Sequence, residues 1–302
     1  MKLFPQLNHG KDKNEREFLV AKNVQLLTFL LVALDDKSRT TVKSILANRQ
    51  VTINGTVVTQ FDTILKPGDV VRVNMKKGST DLVIPDIEIV HEDDDLIVID
   101  KPHGLLSVAT ERERERTAYF AMSEYARHST VDGQLFVLHR LDRDTSGLMM
   151  FAKNARAQET LQSDWGNMVT CRKYVAVVEG VPETNSALIA TPLKENSAMK
   201  VYTSEDGIEA LTRFDLVKTN GTYSLLDLEL ETGRKNQIRA HVASLGLPVA
   251  GDFKYGARTN PINRLALHAR ELRFIHPSTG EEMGFKTKVP RRFLLLVKKR
   301  EQ

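Results

Sequence analysis

Beyond residue 86 the chain breaks into short runs rich in β-branched and aromatic residues, and this texture restricts the fold more than anything else in the sequence. The runs are "IEIVHEDDDLIVIDKP", "QLFVLHRL", "GLMMFAKN", "KYVAVVEG", "EALTRFDLVKT", "YSLLDLELE", "LALHARELRFIHP" and "RFLLLVKK". Only a few helical stretches interrupt them: "TAYFAMSEYARH", "ARAQETLQSDW" and "NQIRAHVASLG". A doubly wound parallel sheet needs a helical crossover after nearly every strand. The order here instead predicts an α+β domain over residues 88–302, built on a mixed, mainly antiparallel sheet. With 302 residues, 41% of them hydrophobic, the chain can carry a second domain as well.

The first quarter has a different character. Residues 1–18 read as a polar leader, and "FLVAKNVQLLTFLLVAL" then places apolar residues at helical spacing. "DDKSRTTVKSILANRQ" opens a second helix with a cap near Asp36 or Ser38, and "VTINGTVV" alternates around Asn54-Gly55, a strong hairpin signal. "ILKPGDVVRV" supplies a closing strand, so a small α/β domain spans 19–75, with "MKKGSTDLVIPD" in a linker over 76–87. Charge is concentrated in this quarter. Residues 1–80 hold 13 lysines and arginines against 7 aspartates and glutamates, whereas the whole chain is only +4. Such a local positive field suits a phosphate backbone, and it also suits a merely soluble basic face.

The segment "SRTTVKSILANRQVTINGTVVTQFDTILKPGDVVRV" closely resembles the alpha-L RNA-binding domain first recognised in a small-subunit ribosomal protein. Ile53 stands in the middle of that family's V-x-V-N-G hairpin. The resemblance implies that Lys37, Arg39, Lys43 and Arg49 face structured RNA.

Several chemistries lack their motifs. The chain has no glycine-rich phosphate loop, Rossmann fingerprint, HExxH or paired Cys/His ligands, so a reaction without cofactor or metal is expected. No run approaches the length of a membrane helix, and the single cysteine, Cys171, excludes an internal disulfide. These features fit a cytoplasmic protein, with Cys171 packed as a small hydrophobe.

One stretch concentrates reactive side chains. "HRLDRDTSGL", residues 139–148, lies between two strand-like runs and therefore reads as a loop whose polar groups a rigid scaffold can aim. Thr145, Ser146 and Gly147 suit bracing and turning. Asp142 and Asp144, two apart in extended chain, point in opposite directions, which disfavours a paired-carboxylate hydrolase and leaves one carboxylate acting alone. Arg140 and Arg143 suit phosphate contacts or an ion pair with an aspartate. His139 by itself reads more readily as structural than as a base. A purely structural loop of Asp, Arg and Thr remains open on chemistry alone.

That loop resembles the H-R-L-D-x-x-T-S-G-L signature of the RluA-type pseudouridine synthases. Four further stretches agree in order: "VIDKPHGLLSV", "CRKYVAVVEG", "ETGRKNQIRAHVASLGLPVAGDFKYG" and "LALHARELRFIHPSTGEEMGF". The resemblance spans residues 88 to about 290. It implies isomerisation of uridine to pseudouridine in RNA, with Asp142 as the catalytic carboxylate, Arg239 as its charge partner and Tyr174 against the uracil. Arg140 would enter the RNA stack and hold the flipped nucleotide out. Arg234, Ile238 and Leu265 become substrate-binding residues, with Asp144 and Arg143 in support. Family members commonly read G-R-T-H-Q-I-R where this chain has Lys235 and Asn236, which points to altered RNA contacts or loop packing there.

The expected substrate is structured RNA, with large-subunit ribosomal RNA preferred over tRNA. A monomer suffices, with neither a membrane nor an obligatory protein partner. The competing readings are a noncatalytic RNA-binding or ribosome-assembly factor and a nucleoside or glycoside hydrolase; release of free uracil would mark the hydrolase.

Overall fold

The computed structural model describes residues 6–9, 15–47, 50–75, 87–111, 113–129 and 134–298. The chain divides into two compact units, Met1–Val83 and Ile84–Gln302.

In the first unit a five-stranded antiparallel sheet runs in the order Gln6–His9, Glu15–Leu19, Val70–Asn74, Val51–Ile53, Thr56–Val57. Helices Leu26–Ala33 and Arg39–Ala47 bury Leu26, Phe29, Leu30, Val42 and Leu46 against Phe18, Val51, Val71 and Val73 of the sheet. Ser38 caps the second helix as expected, its hydroxyl accepting the Thr41 amide at 3.1 Å. Asn54 and Gly55 both take positive φ (52° and 82°), the requirement of the two-residue hairpin turn.

Two expectations are corrected here. Residues 15–18 are not a plain leader, because Glu15–Leu19 pairs with Val70–Asn74 inside the sheet. The first helix begins at Leu26 and not near Phe18. Phe18 and Val20 fit a period of two as well as one of 3.6, and over so short a run the neighbouring strand decides. The linker segment 76–86 lies outside the described residues.

The second unit is built on a ten-stranded sheet. Its main path runs Ser186–Ile189, Thr212–Thr219, Tyr223–Leu230, Cys171–Glu179, Leu267–Ile275, Ser146–Ala152, Leu96–Lys101, Glu88–Glu92. Phe136–Val137 and Glu282–Lys286 add at the sides. Every pairing is antiparallel except that of Ser146–Ala152 with Leu267–Ile275. The mixed, mainly antiparallel α+β architecture is thus the one the strand order predicts.

In the middle of the sheet both faces are covered, so Leu96–Lys101 and Ser146–Ala152 read as continuous apolar runs, whereas Thr212–Thr219 alternates. Val98, Leu148 and Met150 face the helix Ala155–Ser163, while Ile97, Ile99, Met149 and Phe151 face the helix Ala118–Ser129. A third core flanks the other half of the sheet: Ala176, Phe214, Leu226 and Leu228 share the face that carries Tyr174, Val175 and Val177 point to the opposite face, and Ile238 and Val242 of the helix Gln237–Ser244 join the same core.

The single parallel junction is where the loop 139–146 enters the sheet. Gly147 sits opposite Ala269 with φ of 116°, and a Cβ there would come within 2.1 Å of the Ala269 carbonyl oxygen. Only glycine permits that approach. Next to it, Arg264 Nη2 donates to Ser146 Oγ (2.7 Å), leaving the hydroxyl proton for His268 Nδ1 (2.9 Å). His268 Nε2 then carries the ring proton and donates to Thr287 Oγ1 at 2.8 Å. Burial, reinforced by Arg264 and Arg270, pushes His268 down to about 4, and burial with nearby Arg172 does the same to His139, whose Nε2 accepts the Met150 amide.

Because the folded state resists protonating these rings while the unfolded chain does not, their stabilisation is complete above about pH 6.5 and is lost as pH falls towards 4. The thermal midpoint, followed by circular dichroism, should drop across that window, and His268→Gln should flatten the drop.

Candidate active site

The loop 139–146 is fixed through its backbone, which frees its side chains. Ser107 Oγ both donates to the Leu141 carbonyl (2.7 Å) and accepts the Leu141 amide (3.0 Å). A turn closes from the Thr145 amide to the Asp142 carbonyl at 3.1 Å. Lys101, fully buried, donates to the carbonyls of Pro102 (3.0 Å), Leu105 (2.7 Å) and Arg143 (3.2 Å). Burial pushes its ammonium down to about 8, opposed by the charges of Asp144 and Asp142. Asp144 pairs with Arg143 at the surface, away from the pocket, so the loop's two carboxylates are divided.

Asp142 Oδ2 accepts from Arg239 Nη1 at 3.0 Å. Arg239 is presented by the helix Gln237–Ser244, and its other nitrogens grip Asp252 in a two-pronged pair, Nε to Oδ2 at 2.6 Å and Nη2 to Oδ1 at 2.8 Å. Nη1 also donates to Asn236 Oδ1 at 3.1 Å, and the guanidinium lies 4.8 Å over the Tyr255 ring. Burial alone would lower the pKa of Arg239; the hydrogen bonds and charges of Asp252 and Asp142 more than reverse it, so the net shift is upward. Asp252 is 2% exposed and Asp142 28%, which separates a buried anchor from a carboxylate open to the pocket.

Tyr174 projects from the strand Cys171–Glu179 at the position where its register against Leu267–Ile275 slips. Such an irregularity re-aims a side chain, and here it delivers the phenol to the pocket wall. Burial pushes that phenol up to about 12, with Arg172 opposing and Asp142 adding to the shift. The pocket holds about 60 Å³ and is lined by Arg140, Asp142, Thr145, Tyr174, Arg234, Asn236, Ile238, Arg239 and Leu267, among others. No group of His, Cys, Asp and Glu among the described residues is arranged to hold a metal ion.

Six of the seven residues expected at the site therefore line one pocket. Leu265 does not: it is buried in the core with Ile238 and Val242, and Leu267, two residues on, supplies the wall. Asp252, Asn236 and Tyr255 were absent from the sequence-based set, although "GDFKYG" and the departure at Asn236 both lay inside a quoted motif. In the first unit, Lys37 is tied to Asp36 at 3.1 Å, while Arg39 and Lys43 are exposed one helical turn apart. Arg49 lies outside the described residues. Cys171 is half-buried, its thiol pushed up by burial and by Glu229 and Glu271.

A carboxylate anchored through an arginine and facing an aromatic wall is equipped for nucleophilic or acid–base chemistry on a ligand with a flat ring. The sequence pattern of the RNA pseudouridylate synthase family matches residues 95–244. A Bacillus subtilis protein described as uncharacterized RNA pseudouridine synthase YlyB is 35% identical over 280 residues, covering 89% of this chain and 91% of that one. Ribosomal large subunit pseudouridine synthase D of Vibrio cholerae is 32% identical over 277 residues, 84% of each chain. Among solved structures, human RNA pseudouridylate synthase domain containing 4 matches with a TM-score of 0.56 and 25% identity, over 68% of this chain and 90% of that one. The chain belongs to the RNA pseudouridine synthase family. It is an enzyme that isomerises uridine in RNA to pseudouridine.

The geometry sets an expectation for a residue no motif singled out. Asp252→Asn removes the buried charge that orients Arg239, so turnover should fall about a hundredfold while RNA affinity stays near the parent value. Single-turnover kinetics beside filter binding separates the two.

Proposed function

We propose that this enzyme modifies uridines of large-subunit ribosomal RNA, with Asp142 as the catalytic carboxylate. The observation that carries the assignment is the hydrogen bond from Arg239 to Asp142 inside a pocket walled by Tyr174. In the reaction the glycosidic C1′–N1 bond breaks, the uracil turns, a C1′–C5 bond forms, N1 gains a proton and C5 loses one. Asp142 acts at the ribose, either by attacking the anomeric carbon or by removing a sugar proton. Arg239 holds its carboxylate in place. Tyr174, a neutral phenol at neutral pH, offers the uracil a flat face and a hydroxyl that can relay a proton, and Ile238 adds an apolar contact. Arg140, exposed at the pocket, fills the space in the RNA stack that the flipped uridine leaves, and Arg234 meets the backbone beside it.

The first unit is the RNA-gripping module of this reading. Its two helices, Asn-Gly hairpin and basic charge support an alpha-L type domain, with Arg39 and Lys43 on one exposed helix face as phosphate contacts. The names of two relatives, both ribosomal large subunit pseudouridine synthase D, favour ribosomal RNA over tRNA. One chain carries the whole site, so a monomer working in the cytoplasm suffices.

RNA tritiated at carbon-5 of its uridines tests the chemistry, because the new bond expels that hydrogen into water. Large-subunit ribosomal RNA should release label with the wild type, and Asp142→Ala should cut the rate by at least about 10² while still binding RNA. Release from tRNA alone would move the substrate, and release of free uracil would replace the reaction by hydrolysis. Replacing Arg39 and Lys43 with alanine should reduce the slope of log affinity against log salt by about two; an unchanged slope would remove the module from the RNA interface.

A further inference from the structure

The turn 252–256 is held at several points and meets the pocket through Arg239, which lines it. Asp252 grips Arg239, and the Tyr255 hydroxyl accepts from Asn236 Nδ2 and from the Val201 amide, both at 3.2 Å. Lys254 Nζ donates to the Met199 carbonyl at 2.8 Å, which ties the turn to the tip of the hairpin formed by Leu193–Glu195 and Val201–Thr203. A rigid turn of this kind has every opportunity to bury its apolar residue, yet Phe253 is 63% exposed. Met199 at the hairpin tip is 65% exposed, and Ile208, bridged to Leu193 of the same hairpin, is 61%. These are the three most exposed large apolar side chains among the described residues; Phe253 and Met199 lie where the turn is tied to the hairpin tip, and Ile208 pairs with the start of the hairpin's first strand.

Isolated exposed apolar residues are ordinary, whereas a cluster on a fixed rim marks a contact surface. Its charge indicates what it contacts. Lys194 and Lys235 are paired with Asp206 and Glu195. Lys200 lies 5.6 Å over the Tyr255 ring and Lys254 holds a carbonyl, so neither is neutralised by a carboxylate in an ion pair among the described residues. An exposed aromatic beside unneutralised lysines is the surface that single-stranded nucleic acid recognises, through base stacking and phosphate attraction together.

We propose that Phe253 is a stacking platform for the nucleotide next to the target uridine, with Lys200 and Lys254 facing that nucleotide's phosphates. The proposal rests on the RNA pseudouridine synthase assignment of the Asp142 site and extends it to the flanking strand. Flipping a uridine out of RNA loosens the bases on either side of it; Arg140 fills the vacated space in the stack, and a preformed aromatic face that takes a flanking base drawn out beside the target lowers the work of extrusion further.

The full-length protein tests it in two ways. In tritium release from large-subunit ribosomal RNA, Phe253→Ala should raise KM roughly tenfold with kcat little changed, and Phe253→Tyr should restore most of the loss. In a binding titration, the emission of Phe253→Trp, corrected for Trp165 with the wild type, should be quenched by a short oligouridylate and not by an abasic oligomer of equal charge. An unchanged KM in Phe253→Ala, or equal quenching by the abasic oligomer, overturns the platform. A concentration-dependent wild-type dimer that Phe253→Ala abolishes would assign the patch to self-association instead. If wild type releases no label from any RNA, the synthase assignment fails by itself, and the fluorescence titration still decides the platform.

Discussion

The Arg239 guanidinium is the point on which the site depends. Three segments meet on it: the loop carrying Asp142, far off in sequence, the helix carrying Arg239 itself with Asn236 at its cap, and the turn carrying Asp252 and Tyr255 that follows soon after. A buried guanidinium is stabilising only when nearly all its donors find charged or polar acceptors. Asp252 meets that requirement on one edge of the fork, so the other edge is committed in direction before any substrate arrives. Asp142 thereby receives a partner whose position the pocket has already fixed. A lysine could not do this, since its point charge has no second edge to anchor.

The sheet supplies the other half of that preorganisation. The loop carrying Asp142 enters the sheet at its single parallel pairing, where Gly147 allows the close approach to Ala269 and Ser146 is locked between Arg264 and His268. Lys101 sits beneath the loop with three carbonyl acceptors, one of them on Arg143. Removing this donor would leave the buried Leu105 carbonyl without it, at about 1–3 kcal/mol, and release the two part-buried carbonyls. The loop is therefore held from below by main-chain contacts while Asp142 and Arg140 remain free to face a ligand.

Most of the residues that line the pocket were legible before the structure, and the reason differs from residue to residue. Asp142, Tyr174, Arg239, Arg234, Arg140 and Ile238 stand inside ordered motifs, so their convergence on one pocket needed only the motif order. The aim of Tyr174 was not legible, because it depends on a slipped register that no local pattern encodes. Asp252 was missed because a lone aspartate in "VAGDFKYG" has no spacing relation to Arg239; only the tertiary fold brings them to 2.6 Å. The same limit explains Leu265 and Leu267, neighbours of equal hydrophobicity whose roles depend on which one meets the cavity. In the first unit, the strand at Glu15–Leu19 was read as part leader and part helix because its partner, Val70–Asn74, lies more than fifty residues away.

Asn236 shows how a departure from a motif takes on meaning once the geometry is known. Its backbone has a φ of 51°, a conformation that asparagine tolerates better than most residues. Both ends of its amide are engaged inside the protein, Oδ1 with Arg239 and Nδ2 with the Tyr255 hydroxyl. Of the two expectations for this position, altered RNA contacts or loop packing, the geometry of Asn236 agrees with packing. An imidazole at this position could change charge between pH 5 and 8, beside an arginine whose orientation sets the site. The amide does not titrate. It keeps one acceptor on Nη1 and one donor on Tyr255 at every working pH, so the support of Arg239 on this side is independent of proton concentration.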